Sequence, residues 1–335
     1  MDRRVTSQDV AKAAGVSRSA VSLVLNGRAE GAISAANQRA VRRAAERLGY
    51  RPNQVARSLR DQTTHSIGVV TDSIVTGSFG GAMIAGATTR AARDGYILLV
   101  VNAERVPRAE AEAMETLLGR QVDALVYAAE GLHGWTPPEL FLAEHNILLD
   151  AFATDGGATG VVPDEVAGGY RAARMLLDAG HRDITVLAGT PDVEATGRRL
   201  AGCRRAMGEA GLTSRQVTCG WEIDVGLAVG TRVLSAEDRP TGIICANDRA
   251  AAGVVLAAAR LGLGVPEDVS IVGYDDDQNV APQLGLSTIR LPHRQMGETA
   301  MDLLIGSLRG VDLPRGEVLV DTPAVLRSSV GTPSR

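Results

Sequence analysis

The 335-residue sequence predicts an α/β body with a small all-α head. Three observations carry this reading. The first 50 residues place apolar side chains at helical spacing behind good cap residues. From residue 66 onward, short apolar runs alternate with amphipathic stretches, and the pattern restarts midway. Charge is also unevenly divided. Residues 1–60 hold twelve Lys and Arg against four Asp and Glu, a net +8, whereas the remainder holds 23 against 35, a net −12. A basic head on an acidic body is the electrostatic footprint of a polyanion bound at one end only.

The head reads as three short helices. Thr6 with Asp9 three residues later is a capping-box-like start to a helix over 7–14, with Val10, Ala11 and Ala14 facing inward. Gly15 supplies the positive φ of a tight turn. Ser17 then caps a second helix over 18–25, ended by Asn26-Gly27. After a loop at 28–33, Ser34 caps a third helix in which Val41, Ala44, Ala45 and Leu48 recur, and Gly49 stops it. Two short helices about one tight turn apart form a helix-turn-helix. Beyond it, Pro52 suits a helix start, and residues 53–59 allow two turns, too short a helix to stand alone. Residues 61–65 are polar and read as a linker.

The body offers strand-like runs at 67–71, 96–101, 124–127, 147–149, 160–162, 184–188, 241–245 and 269–273. Strands separated by roughly 10–15 residues of helical pattern indicate parallel sheets. The restart after Val162 indicates two similar lobes with a cleft between them, and such clefts hold ligands at the carboxyl ends of the strands.

Other chemistry finds little support. No apolar run reaches the ~18 residues needed to span a bilayer, and no apolar signal core follows Met1-Asp2-Arg3-Arg4, so the expected compartment is the cytoplasm. Cys203, Cys219 and Cys245 lack metal-type spacing and read as reduced, buried thiols. Gly77-Ser78-Phe79-Gly80-Gly81 lacks the Lys-Ser/Thr pair of a phosphate-binding loop. Asp275-Asp276-Asp277 has no ligand partners at metal spacing. No nucleophile–base pair supports an enzyme, and neither a cofactor nor a metal is expected.

The head resembles the lactose-repressor family of bacterial transcription regulators. The resemblance rests on Val5-Thr6-Ser7-Gln8-Asp9-Val10-Ala11-Lys12-Ala13-Ala14-Gly15-Val16-Ser17, Ala20-Val21-Ser22-Leu23-Val24-Leu25-Asn26-Gly27, Gly49-Tyr50-Arg51-Pro52-Asn53 and Val55-Ala56-Arg57-Ser58-Leu59-Arg60. The body is similar too, at Gly180-His181-Arg182-Asp183-Ile184, Arg199-Leu200-Ala201-Gly202, Ala246-Asn247-Asp248 and Ser270-Ile271-Val272-Gly273-Tyr274-Asp275. The resemblance implies a helix-turn-helix domain at 1–50, a hinge helix and linker at 51–65, and a two-lobed, periplasmic-binding-protein-like (type I) sensor at 66–335. Its N-lobe would take about 66–162 and 291–321, and its C-lobe about 163–290 and 322–335.

The same resemblance assigns roles. Arg18, Ser19 and Leu23 would meet base edges. Arg suits guanine O6 and N7, while Leu23 either touches a thymine methyl or packs inward. Thr6, Ser17, Ser22 and Asn26 would meet phosphates, although Thr6 and Ser17 serve equally well as caps. Asn53, Ala56 and Arg57 would line the minor groove, with Leu59 wedged into it. The 28–33 loop looks about two residues longer than the family's pattern, which weakens any base contact carried over for it. Asp72, Phe79, Asp150, Asp164, Arg199, Trp221, Asn247 and Asp275 would line the effector cleft. Trp221 there either stacks on the ligand or belongs to the core, and Asp248 is a helix-start or structural carboxylate. The implied partners are a pseudo-palindromic double-stranded operator, a sugar-like or nucleobase effector and a second copy of the chain. No leucine heptad follows Ser329, so a helical tetramerisation tail is not expected. The alternative, a solute-binding protein without a regulatory role, would call for a signal peptide and no basic head.

Overall fold

A computed structural model describes residues 5–50, 63–72 and 80–334. The chain divides into two compact units, Met1–His65 and Ser66–Arg335.

In the head, α1 (Ser7–Ala14), α2 (Arg18–Leu25) and α3 (Ala35–Arg47) begin where their caps dictate. Thr6 and Asp9 close a full capping box. The Thr6 N–H donates to Asp9 Oδ2 at 2.8 Å, and the Asp9 N–H donates back to Thr6 Oγ1 at 3.4 Å. Ser17 accepts from the Ala20 N–H at 3.1 Å, and Gly15 ends α1 at φ 66°. The core is small: Val10, Ala11, Val21, Val24, Ala29, Val41, Ala44 and Ala45. The 28–33 loop belongs to it. Ala29 is buried beneath the loop, and Gln38 Nε2 of α3 donates to the Ala29 and Ile33 carbonyls.

The second unit contains two parallel sheets. The larger has strand order β11-β5-β4-β3-β1-β2, from β1 (Ser66–Thr71), β2 (Ile97–Asn102), β3 (Ala124–Trp135), β4 (Asn146–Ala153), β5 (Gly160–Pro163) and β11 (Glu317–Val320). The smaller runs β7-β6-β8-β9, from β6 (Ile184–Ala188), β7 (Arg215–Thr218), β8 (Gly242–Cys245) and β9 (Ser270–Val272). The inner strands are covered on both faces, so they read as unbroken apolar runs without alternation. A short antiparallel pair, β10 (Thr288–Ile289) and β12 (Ala324–Val325), completes the unit.

Helices α4 (Gly80–Arg93) and α11 (His293–Leu308) cover one face of the larger sheet, while α5 (Pro107–Gly119) and α6 (Glu139–Leu142) cover the other. The smaller sheet lies between α7 (Glu165–Asp178) with α8 (Glu194–Glu209) on one side and α9 (Ile223–Leu234) with α10 (Asp248–Arg260) on the other. Each of three helix pairs crosses at glycines. A Cβ at Gly169 of α7 would lie 2.0 Å from the Arg199 carbonyl oxygen, and one at Gly202 of α8 would lie 2.0 Å from that of Val166. Gly86 with Gly297, and Gly226 with Gly253, play the same part in α4–α11 and α9–α10. Backbone therefore meets backbone at these crossings.

The chain passes between the lobes three times, after β5, after β10 and after β11. Polar groups tie these passages together. Thr322 Oγ1 donates to the Asp164 carbonyl at 2.8 Å, and the Arg290 N–H donates to the Pro323 carbonyl at 2.9 Å. Asp276 receives Arg290 Nε at 2.8 Å and Arg327 Nη2 at 2.6 Å. Burial alone would raise this carboxyl, but the two arginines outweigh it and hold it below the usual carboxylate range.

Candidate DNA-reading helix and effector cleft

Helix α2 buries Ala20, Val21 and Val24. The helical repeat therefore turns Arg18, Ser22 and Asn26 to one outer stripe and Ser19 and Leu23 to the next. Ser17, Arg18 and Ser19 are exposed at its N-terminal end, the end that enters a major groove in this motif. Arg18 Nε donates to Ser7 Oγ of α1 at 3.1 Å, which ties the guanidinium across the turn. Ser17 Oγ accepts the cap bond from the Ala20 N–H. Thr6 Oγ1 accepts from Asp9 and also donates to Asp9 Oδ2 at 2.7 Å, so capping takes up this hydroxyl. Asn26 Nδ2 donates to Ser22 Oγ at 3.2 Å. Leu23 is half-buried against the head core, which leaves only its outer part for a base. Asn53, Ala56, Arg57 and Leu59 lie outside the described residues.

Between the lobes lies a cavity of about 480 Å³. Of the expected cleft residues, it brings together Asp150, Arg199, Trp221, Asn247 and Asp275. Phe79 lies outside the described residues, and Asp72 and Asp164 are not on the wall. Asp164 caps α7 through the Ala167 N–H at 2.9 Å. Asp72 is fully buried at the end of β1, where it accepts Arg105 Nε at 2.7 Å and the Glu130 N–H at 2.9 Å. It thereby anchors a wall residue, Arg105.

Arg199 is held rigidly. Its Nε and Nη2 form a fork with Glu165 at 2.9 and 2.8 Å, its Nη1 donates to the Ala246 carbonyl at 2.7 Å, and it stacks 3.7 Å from the Tyr274 ring centroid. Burial works against its charge, but Glu165 outweighs it and the guanidinium stays protonated. Tyr274 Oη also donates to Glu165, at 2.6 Å. Asn247 caps α10 with Oδ1, accepting the Ala250 N–H at 2.8 Å, and lines the cavity. Trp221 lies against Gly189, where a Cβ would come within 2.2 Å of the indole.

Two carboxylates complete the wall. Asp150 ends the core of β4 at φ 56° and accepts the Gly131 N–H at 3.0 Å. Burial, with the Glu165 charge adding, pushes its carboxyl up to about 7. Asp275 sits at φ 105°, with Arg199 Nη2 no closer than 3.9 Å. Burial raises it well above the ordinary range, against the pull of Arg199. Backbone held at such angles is typical of ligand-handling residues. The wall arginines Arg105, Arg199 and Arg249 are each bonded to an acid, respectively Asp72, Glu165 and Glu222. The two raised carboxyls can each accept and, when protonated, donate, which suits a ligand with several O–H or N–H groups.

Sequence reasoning passed over Glu165 and His293. Glu165 adjoins Asp164, and a one-residue step around the start of α7 separates cap from wall. His293, at the first position of α11, looks like one of several scattered histidines in the sequence, yet burial presses it down to about 4 and keeps it neutral.

Residues 157–330 match the family described as periplasmic binding protein-like domain, and residues 6–53 match the bacterial regulatory proteins of the lacI family. The chain is 30% identical over 340 residues to the HTH-type transcriptional repressor PurR of Vibrio atlanticus, covering 98% of this chain and 99% of the relative. It is 29% identical over 330 residues to the ribose operon repressor of Haemophilus influenzae, covering 97% and 98%. Among solved structures, the lac repressor dimer bound to operator and the anti-inducer ONPF superimposes with a TM-score of 0.78 at 26% identity, covering 98% of this chain and 99% of that one.

Proposed function

The chain belongs to the lacI family of bacterial regulatory proteins, and from that premise we propose a specific mode of action for it. It is a DNA-binding transcriptional regulator and not an enzyme. It acts in the cytoplasm as a homodimer that represses by holding a pseudo-palindromic operator, one head per half-site. The lac repressor in the operator complex is a dimer, and the edge strand β2, with Ile97 60% exposed, supports a similar assembly here. Arg18 and Ser19 read bases, Ser17, Ser22 and Asn26 position the backbone, and Asn53, Ala56, Arg57 and Leu59 act in the minor groove.

The effector is a small polyhydroxy molecule of the sugar class, with a nucleobase as the second candidate. It donates to Asp150 and Asp275, accepts from Asn247 Nδ2 and lies against Trp221. Asp72 and Asp164 act as supports through Arg105 and the start of α7, and Phe79 is proposed as an effector contact. The observation that carries the reading is two buried carboxylates, one on each lobe, facing a single cavity beside a fully paired arginine. A ligand bridging them favours one lobe arrangement over the other and so biases the head. Fluorescence anisotropy on a selected operator, with and without each of a panel of sugars and nucleobases, tests it. The reading requires an affinity change with a compound that also raises the melting temperature. Binding to operator and random duplex with equal affinity would refute it.

A further inference from the structure

A second concavity, of about 400 Å³, opens on the N-lobe between the start of α5 and the distal end of β3. β3 runs on past the main body of the sheet, paired only with β4. Its pairing with β4 is interrupted after Ala128 and resumes at His133, and the extension carries Trp135 back over Tyr127. The two rings stack 3.9 Å apart at 6°, with Phe141 edge-on to Trp135 at 5.2 Å. Beneath them, Glu110 is 8% exposed. Tyr127 Oη donates to its Oε1 and Trp135 Nε1 to its Oε2, both at 3.2 Å.

Both donors are neutral. Among the described residues no ion pair reaches Glu110, and the arginine at the rim, Arg105, is bonded to Asp72. Glu110 is therefore a buried acid bonded by two neutral donors and by no basic side chain among the described residues. Here it lines an open pocket walled by Trp135, Tyr127, His133, Met114 and Pro107. Burial, with Glu110 adding, keeps the Tyr127 phenol protonated, and Glu110 is the one acidic side chain on the pocket wall.

We propose that this pocket is a second ligand site, distinct from the interlobe cleft, for a small organic cation: a protonated amine on an apolar or aromatic body. The ammonium would compensate Glu110, and the body would pack on the rings and Met114. Arg105 and His133 belong to the walls of both cavities, so the two sites share a septum.

The chain has two tryptophans, Trp135 in this pocket and Trp221 in the cleft, so each site carries its own reporter. In Trp221→Phe protein, titration with phenethylamine, 2-phenylethanol and phenylacetate is followed by Trp135 emission. The expected result is a saturable change with the amine, at a Kd about tenfold or more below that of the alcohol, with the acid weakest. Glu110→Gln is expected to abolish the amine's advantage. Equal affinity for amine and alcohol overturns the proposal. So does an amine preference that survives in Glu110→Gln, or an amine response of Trp221 in Trp135→Phe protein with none of Trp135 in Trp221→Phe protein. The charge series on intact Glu110 decides the matter even where Glu110→Gln does not fold.

Discussion

Replacing Glu165 with Gln tests the central construction of the cleft. Glu165 is 2% exposed and accepts three hydrogen bonds, two from Arg199 and one from Tyr274. Glutamine keeps the shape but turns one acceptor into a donor and removes the charge. Arg199 would then be a buried cation whose next acid, Asp275, is 3.9 Å away. Stranding one partner of a buried pair costs about 3–5 kcal/mol. At roughly 2–4 °C per kcal/mol for a unit of this size, the melting temperature should fall by roughly 6–20 °C. The double variant Glu165→Leu/Arg199→Met removes both charges and should recover to within about 1 kcal/mol of the parent. Urea unfolding of the parent, both singles and the double gives the coupling energy directly, expected above about 2 kcal/mol. Additive costs, or a single-variant cost below about 1 kcal/mol, would refute the view that Glu165 exists to hold Arg199.

Three further outcomes follow from the same geometry. Asp150 has an unfolded-state value near 4 and a folded one of about 7, so ionising it destabilises the fold progressively as pH rises between those values. Asp150→Asn should therefore melt above the parent at pH 8 and lose that advantage by pH 5, as thermal scans across the range will show; a pH-independent difference would contradict this. Arg18→Ala should weaken operator binding by about 1–3 kcal/mol and relax selectivity at one base pair while leaving the melting temperature unchanged, which anisotropy on single-base operator variants will measure. Gly169→Ala forces a Cβ to 2.0 Å from the Arg199 carbonyl and should cost about 3 kcal/mol in urea unfolding, with loss of effector response.

Much of this was legible in the sequence where local chemistry decides the outcome. Thr6, Ser17 and Ser34 set the head's helix starts because each satisfies backbone donors that nothing else satisfies. The inner strands of both sheets are legible because burial on two faces makes them apolar throughout. The distal part of β3 is not: Glu130, Gly131 and His133 break the apolar run, and only the bulged pairing with β4 makes those residues strand. Edge strand β7 and the short β10 escape for a similar reason, since the pairing partner defines them. In the cleft, the resemblance to the family, and not residue type alone, points to Asp150, Arg199, Trp221, Asn247 and Asp275, which line the cavity. Asp164 and Asp72 are chemically indistinguishable from wall acids in one dimension, and only three-dimensional placement separates a cap and an anchor from a contact. The Glu165–Arg199 pair spans 34 positions and has no local signature at all.

The glycine crossings have a mechanical consequence. Side chains that interdigitate can slip past one another by changing rotamer, and a helix pair packed that way absorbs displacement. Where a carbonyl of one helix rests on the bare Cα of the next, no rotamer is available to yield. Each lobe then behaves as a stiff plate, and the compliance of the sensor is concentrated in its three crossing strands of chain. A push at Asp150 would be met by the lobe braced by α4 and α11, and one at Asp275 by the lobe braced by α7 with α8 and α9 with α10, so the expected yield points are the crossings at Asp164, Arg290 and Thr322. Stiffness bought with glycine is thus what would let a small ligand move a large body.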